Sequence, residues 1–344
     1  MFNLEFNKVF IIAELSANHN GSLETAIETI KAAKRAGADC VKFQTFKTEE
    51  IVTGNAPKAN YQLEVTDKNE SQFEMLKKLE LSKDKFEILK EECSKIGIDF
   101  MSTPYSIHDL NLLDSLGVNS FKIASGQLTE LGFLEKVAKK GKQIILSTGM
   151  GTLAEVYQAI STIRKFNENL IVLQCTTNYP SLIEESNIKA MVSIREACKV
   201  RVGYSDHVIN NYACFSAVAL GAEVIEKHFT LDKAMEGPDH SCSLNPEEFK
   251  ELVTGIRNIE LSLGDGIKKP SDNEIKNIYG MRRGLVVNQN IQKGNIITES
   301  IIGVKRPLTG IEPSNIHLVL NKKVNKDMIK DQSITFNDIL WEEV

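Results

Sequence analysis

Short apolar runs rich in β-branched residues recur along the first 230 residues: Val9–Ser16, Asp39–Thr45, Asp99–Pro104, Ser120–Ser125, Gln143–Gly149, Leu170–Thr176, Val200–Asp206 and Val224–Thr230. Runs without strict alternation are what strands buried on both faces look like. A helical period fills most intervals. Leu23, Ala26, Ile27, Ile30 and Ala33 share one face, and Gly37 supplies a C-terminal stop. Lys85–Lys95, Ile107–Leu116, Leu131–Lys139, Leu153–Phe166 and Ile188–Ala197 repeat the pattern. Eight strand–helix units predict an α/β chain folded as a (β/α)8 TIM barrel. A doubly wound open sheet is the competing arrangement, and the lack of a long central crossover counts against it.

Two stretches depart from the repeating unit. Residues 46–80 are too long for a simple loop and carry Gly54-Asn55-Ala56-Pro57 and an amphipathic Gln72–Leu79. A long loop after a barrel strand often covers the site. Residues 231–246 follow the eighth run and are polar and irregular. The last barrel helix is predicted over Pro246–Leu263, stopped by Gly264-Asp265-Gly266. This places a barrel domain at 1–266 and a polar linker at 267–281. Residues 282–344 form a small, mixed, strand-rich domain around Leu285-Val286-Val287, Ile296-Ile297 and Val304-Lys305-Arg306-Pro307. A domain of about 60 residues has a marginal core, so docking on the barrel or on another subunit is expected.

The composition of the 344 residues, 42% apolar and 25% charged, is that of a globular protein. A formal net charge of -5 argues against a general nucleic-acid binder, which needs a basic face, but leaves room for a local anion pocket. The six cysteines form no CxxC pair, and buried free thiols in a reduced compartment are expected. Met1–Glu5 shows no signal-peptide pattern, and no run approaches the roughly 18 apolar residues of a membrane span. A cytoplasmic location is expected.

Barrel enzymes act at the C-terminal ends of their strands. The first run ends in Glu14, a carboxylate after four apolar residues that is open to reading as a base, a polar clamp or a structural salt bridge. Lys42 and Gln44 share a face of the second run, and Lys122 lies in the fourth. Burying ammonium groups is costly unless an anion compensates. With Ser125, Ser147 and Ser205, the two lysines suggest a site for a small anion carrying phosphate and carboxylate. His207 and His228 end adjacent runs, where converging imidazoles make either a divalent-metal site or packed side chains. Glu226 shares a face with His228, as its partner or as a further ligand. Nucleotide-binding glycine motifs and a GxSxG elbow are missing from the sequence. A Schiff base on Lys42 or Lys122, as in aldolases and lyases, is the main alternative chemistry. A carbohydrate-binding protein without activity is a third reading, one that leaves paired lysines and histidines unexplained.

The motifs Ile12–Gly21, Val41-Lys42-Phe43-Gln44-Thr45, Ser102-Thr103-Pro104, Phe121–Gly126, Ser147-Thr148-Gly149-Met150, Gly203–His207, Glu226–Thr230 and Gly237–His240 resemble the bacterial sialic acid synthase family, which includes N-acetylneuraminate, legionaminate and pseudaminate synthases. The stretch around Arg306 resembles the antifreeze-like (SAF) domain that ends these enzymes. The resemblance implies a transferase of EC class 2.5.1. It condenses phosphoenolpyruvate with N-acetylmannosamine or 2,4-diacetamido-2,4,6-trideoxymannose to a nine-carbon 2-keto-3-deoxy acid, with phosphate released by C–O cleavage. It further implies Mn²⁺ or Mg²⁺ on His207 and His228, and a phosphoenolpyruvate cradle of Lys42, Lys122, Ser125, Ser147 and Ser205. Glu14 matches a glutamate near the reacting carbons. Gln44, Asn55, Tyr179 and Asp239 match sugar-facing positions. Arg306 matches an arginine contributed to the partner's sugar site, implying a domain-swapped homodimer.

Gln127 stands where many relatives carry glutamate, and Thr177 where some carry asparagine. An amide cannot act as a base or an anionic ligand. Asn60-Tyr61-Gln62 and Glu70-Ser71-Gln72 look like legionaminate-type relatives but also occur in N-acetylneuraminate members.

Overall fold

Strands β1 (Phe10–Glu14), β2 (Cys40–Thr45), β3 (Asp99–Pro104), β4 (Ser120–Ile123), β5 (Gln143–Ser147), β6 (Leu170–Cys175), β7 (Arg201–Asp206) and β8 (Val224–His228) form a parallel barrel in sequence order, closed by β8 pairing with β1. This is the predicted (β/α)8 architecture. The computed structural model describes residues 8–341 apart from 60, 61, 64, 65 and 68. Met1–Glu5, Asn60, Tyr61 and residues 342–344 of the small domain lie outside the described residues.

Local sequence explains where the helices start and stop. In Leu23–Ala36 the Ser22 side chain accepts from the Thr25 N–H, and Gly37 ends the helix at φ 97°. Pro246–Leu263 forms as predicted, with Asn245 and Glu248 making a reciprocal cap. The helix Tyr212–Ala219 gave no amphipathic signal. Its sequence YACFSAVA is apolar nearly all round, so it has no polar face to mark a period. The insertion after β2 contains a short helix, Thr48–Ile51, and the expected helix Gln72–Leu79.

Side chains alternate between the barrel interior and the layer under the helices. On β1, Ile11 and Ala13 pack in the outer layer, whereas Phe10 and Ile12 belong to the inner core. Inward positions change character along each strand. Phe10 and Ile12 lead to Glu14, Ile145 leads to Ser147, and Val224 leads to Glu226 and His228. The apolar end is closed by Met101, Ile145, Ile171 and Leu173, all fully buried. Gly203 is required here, because a Cβ would lie 2.4 Å from the Val224 carbonyl oxygen and 2.7 Å from Leu173 Cδ2.

The chain divides into two compact units, Met1–Gly264 and Asp265–Val344. In the second, Asp272–Met281 forms a helix capped by Ser271 within the stretch predicted as a linker. Strand β9 (Gly284–Val287) pairs antiparallel with β10 (Ile302–Lys305), and β11 (Lys323–Val324) with β12 (Ile339–Leu340). Ile296 makes only an isolated bridge to Lys323 instead of the expected strand. Leu285, Val287, Ile297, Val319, Val324 and Ile334 are fully buried within this unit. Each such side chain contributes roughly 1.5–3 kcal/mol, so the unit has a core of its own. All six cysteines are free and buried. No helix among the described residues is long and apolar enough to cross a membrane.

Candidate active site

The polar ends of the strands open into a cavity of about 420 Å³, within the usual range of roughly 300–1,000 Å³ for small-molecule sites. Glu14, Lys42, Gln44, Lys122, Ser125, Ser147, Tyr179, Ser205, His207, His228 and Asp239 all line it. With Glu226, which also lines it, these are twelve of the fourteen residues given a site role from sequence. Asn55 is exposed on the insertion and does not line the cavity. Arg306 is in the second unit, where its Nε donates to the Met281 carbonyl at 2.8 Å.

Register explains the charge arrangement. Glu14 pairs with Lys42 on one side and His228 on the other. Lys42 Nζ lies 2.7 Å from Glu14 Oε2. Glu226 is set between the two lysines, 3.3 Å from Lys122 and 3.8 Å from Lys42, and accepts from Ser205 Oγ at 2.9 Å. It pairs with the two lysines instead of serving as the partner of His228, and its Oε2 makes no hydrogen bond. Lys122 Nζ also donates to Ser147 Oγ at 2.7 Å.

Burial and charge compete in this cluster. Burial, helped by Glu226, lifts the Glu14 carboxyl to about 7 against the pull of Lys42. Burial also works against the Lys42 ammonium, but Glu14 and Glu226 outweigh it and raise its pKa. The Lys122 pKa is lowered by burial and by Lys42, with Glu226 opposing. For Glu226, burial is overcome by Lys122 and Lys42, and its carboxyl stays below the usual range. Glu226 is therefore the standing anion of the cluster, and Glu14 the group that titrates.

Ser125 Oγ accepts from the Gly149 N–H at 2.9 Å. A Cβ on Gly149 would lie 2.0 Å from Thr177 Oγ1 and 2.9 Å from Ser125 Oγ, so only glycine lets these loops meet. The cavity thus presents two ammonium groups and three serine hydroxyls in one place, a donor set suited to a compact dianion.

His207 and His228 do converge, with ring centroids 5.3 Å apart, and Tyr179 lies 4.0 Å from the His207 ring. His207 Nδ1 donates to the Thr176 carbonyl at 2.6 Å, because a carbonyl can only accept. That bond leaves Nε2 with its lone pair. Burial, His207 and Lys42 hold the His228 pKa well below the usual value, so this ring is neutral. Its Nδ1 is buried without a hydrogen-bond partner, 3.9 Å from Asp239 Oδ2. Burial works against a proton on His207, but Cys175 and the Thr176 carbonyl overcome it and raise the His207 pKa. Two converging imidazoles beside a carboxylate fit a divalent cation, which would take the place of that proton. No group of three or more His, Cys, Asp or Glu side chains among the described residues is arranged as a metal cluster. A cation held by two imidazoles would keep positions for substrate or water.

Gln44 Nε2 donates to Ser16 Oγ at 2.7 Å. The Ser16 side chain also bonds Asp239 and, with His207, partly offsets the burial that raises the Asp239 carboxyl. Ser16 was not singled out, although it is buried in the cavity wall with a left-handed φ of 41°. Cys175 was also missed; its Sγ lies 3.9 Å from His207 Nδ1. Gln127 does not line the cavity; its Nε2 donates to the Pro104 carbonyl at 3.1 Å, tying the turn after β4 to the end of β3.

A second buried pair lies behind the histidines. Lys227 Nζ is 2.6 Å from Asp206 Oδ2 and also donates to the Val208 and Asn210 carbonyls. Asp206 Oδ1 accepts from Tyr204 OH at 3.1 Å and from the Val208 N–H at 3.0 Å. The pair fixes the backbone that carries His207.

Comparison with known proteins places this barrel in a family. Residues 29–268 match the NeuB family and residues 282–340 the SAF domain. The chain belongs to the NeuB family. It is 46% identical to the N,N'-diacetyllegionaminic acid synthase of Campylobacter jejuni over 330 residues, covering 95% of this chain and 99% of that protein. Its identity with the enzyme of the same name from Legionella pneumophila is 42% over 340 residues, 97% of this chain and 94% of the other. Among solved structures, the N-acetylneuraminic acid synthetase of Leptospira borgpetersenii is similar, with a TM-score of 0.70 and 34% identity over 79% of this chain and 90% of that one.

Proposed function

We propose that this chain is a transferase that condenses phosphoenolpyruvate with an N-acetylated mannose-type sugar, giving a nine-carbon 2-keto-3-deoxy acid and phosphate. The observation that carries this reading is the pair of buried lysines, Lys42 and Lys122, facing one cavity with Ser125, Ser147 and Ser205. Glu14 and Glu226 already face the two ammonium groups, and with Glu14 protonated the cluster keeps one net positive charge for phosphoenolpyruvate to meet. Relatives named as sialic and legionaminic acid synthases support the same reading.

In the proposed reaction, C3 of phosphoenolpyruvate bonds to the aldehyde carbon of the sugar. Water adds at C2, and the C2–O bond to phosphate breaks, which leaves the ketone. Lys42 and Lys122 hold the phosphate and carboxylate, and the serine hydroxyls orient them. Glu14, with a pKa near 7, can hold or release a proton beside the reacting carbons. Gln44 and Asp239, tied through Ser16, face the sugar, and Tyr179 packs over the histidines. A divalent cation, Mn²⁺ or Mg²⁺, held by His207 and His228, would polarise the aldehyde oxygen as a Lewis acid. Arg306 is assigned to the sugar site of a partner subunit in a homodimer.

The lowered pKa of Lys122 is the observation that favours the Schiff-base alternative. Its ion pair with Glu226 opposes that lowering, and the named relatives support the phosphoenolpyruvate reading over it. The deciding measurement is phosphate release from phosphoenolpyruvate with N-acetylmannosamine or 2,4-diacetamido-2,4,6-trideoxymannose, with and without EDTA. Sugar-dependent release that EDTA stops and Mn²⁺ restores is expected. Borohydride inactivation in the presence of pyruvate, together with indifference to EDTA, would replace this reading with the aldolase.

A further inference from the structure

Asp239 faces the cavity from the irregular stretch 231–246, whose one regular piece before the last barrel helix is a short helical turn, His240–Cys242. A side chain carried on a loop is placed only as well as the groups around the loop hold it. The base of this loop is closed by the chain itself. The Leu244 N–H donates to the His228 carbonyl and the Thr230 N–H to the Leu244 carbonyl, both at 2.9 Å. The remainder is held by the turn that follows β1.

Asn18 and Asn20 of that turn make the ties. Asn18 is buried, and its Nδ2 donates to the Phe229 carbonyl at 2.9 Å and to Ser243 Oγ at 2.8 Å. The Ser243 hydroxyl carries the connection on, donating to the Asp239 carbonyl at 2.5 Å. Asn18 Oδ1 is buried without a hydrogen-bond partner. An unpaired buried acceptor is costly, so what the amide contributes here is its two donated bonds. Asn20 Nδ2 donates to the Glu236 carbonyl at 2.9 Å, which makes its Oδ1 the acceptor for His240 Nε2–H at 3.3 Å. His240 Nδ1 then accepts from the Thr230 hydroxyl at 2.7 Å. That pattern needs a neutral ring, and burial holds the His240 pKa down to about 4. The loop lies close on the turn: a Cβ at Gly237 would come within 2.7 Å of His240 Cδ2 and 2.9 Å of Asn20 Oδ1. Ser16, at the start of the same turn, bonds the Asp239 carboxyl. One turn thus grips Asp239 by its main chain and by its side chain.

We infer that Asn18 is a positioning residue: through Ser243 it fixes the backbone of Asp239, and with it the place where that carboxyl stands in the cavity. Neither Asn18 nor Ser243 lines the cavity, so neither touches the substrate. The inference rests on the proposed synthase reading, in which Asp239 faces the sugar. A misplacement of about 1 Å, caused away from the reacting atoms, can cost on the order of a hundredfold in rate. The tie from Asn18 is what keeps an otherwise irregular loop from allowing it.

The test is a double-mutant cycle on phosphate release, with KM measured for phosphoenolpyruvate and for whichever of N-acetylmannosamine and 2,4-diacetamido-2,4,6-trideoxymannose supports release. The variants are Asn18→Ala, Ser243→Ala and Asp239→Ala, and each of the first two combined with the third. Asn18→Ala and Ser243→Ala should each raise the sugar KM at least about fivefold and leave the KM for phosphoenolpyruvate within about twofold. Added to Asp239→Ala, neither should change the sugar KM by more than about twofold, because a residue that acts through Asp239 then has nothing left to place. Ser243→Ala removes a single hydroxyl and keeps the test open if Asn18→Ala does not fold. Effects that multiply in the double variants, or an unchanged sugar KM in the folded single variants, would overturn the positioning role and leave the synthase reading standing. An unchanged sugar KM in Asp239→Ala would overturn the sugar-facing role of Asp239 and the inference with it. Absence of sugar-dependent release from the wild type would overturn the synthase reading itself.

Discussion

Glu14 and Lys42 are register partners across the β1–β2 ladder, and their charged atoms meet 2.7 Å apart inside the barrel mouth. With Lys122 and Glu226 they make a cluster that is neutral when Glu14 is ionised and singly positive when it is protonated. The Glu14 carboxyl, near 7, therefore sets the charge of the pocket around neutral pH.

An anion binds better to the positive form. We expect kcat/KM for phosphoenolpyruvate to fall as pH rises through about 7, and Glu14→Gln to remove that limb. The same group acts on stability. Its folded pKa lies above the unfolded value of 4.5, so its contribution is full below pH 4.5 and is lost as pH rises to about 7. Initial rates of phosphate release across this range check the prediction; a limb that persists in Glu14→Gln would assign the titration to another group.

Lys122→Ala should raise the KM for phosphoenolpyruvate at least about tenfold, because a hydrogen bond to a charged group is worth roughly 1.5–3 kcal/mol. Circular dichroism should show a folded barrel. An unchanged KM would refute the anion cradle.

His207→Ala and His228→Ala should each abolish tight Mn²⁺ binding, measured by calorimetry or by loss of the free-ion resonance. Turnover should fall with it. Retained tight binding in either variant would show that its imidazole is not a ligand.

Asp206→Asn addresses the buried pair behind the site. Breaking one partner of such a pair costs about 3–5 kcal/mol, since Lys227 is left buried without its counter-charge. Urea denaturation should show a loss of that order. A loss below about 1 kcal/mol would mean that the carbonyls of Val208 and Asn210 suffice for the ammonium.

Arg306→Ala should weaken use of the sugar while the barrel stays folded. Mixed with Lys122→Ala, it should recover part of the activity through hybrid dimers, if each site borrows its arginine from the partner. Absence of recovery would count against the exchange of domains.

The barrel was legible because strands covered on both faces carry unbroken apolar runs, and eight of them recur with helical intervals between most of them. Tyr212–Ala219 was not, since a helix without a polar face has no period to detect. Lys42 and Lys122 were legible as site residues because an ammonium inside an apolar strand is costly. The position of Glu226 was harder to read. Its distance from Lys122 depends on how the ring closes across β4 and β8, which no local pattern records. Ser16 and Gln127 show the same limit from both sides: a serine with no conspicuous spacing joins two cavity residues, and an amide at a conspicuous position stays out of the cavity lining and ties a turn to a strand end.

Along β1, β5 and β8 the inward residues pass from apolar to polar or ionisable within a few positions of one another. Folding and chemistry are thereby written on the same strands at different heights. An exchange at Glu14, Ser147 or His228 can alter what the protein reacts with while Phe10, Ile145 and Val224 keep the ring closed beneath it. The lower storey makes the upper one replaceable, so new reactivity can be tried without first rebuilding the scaffold.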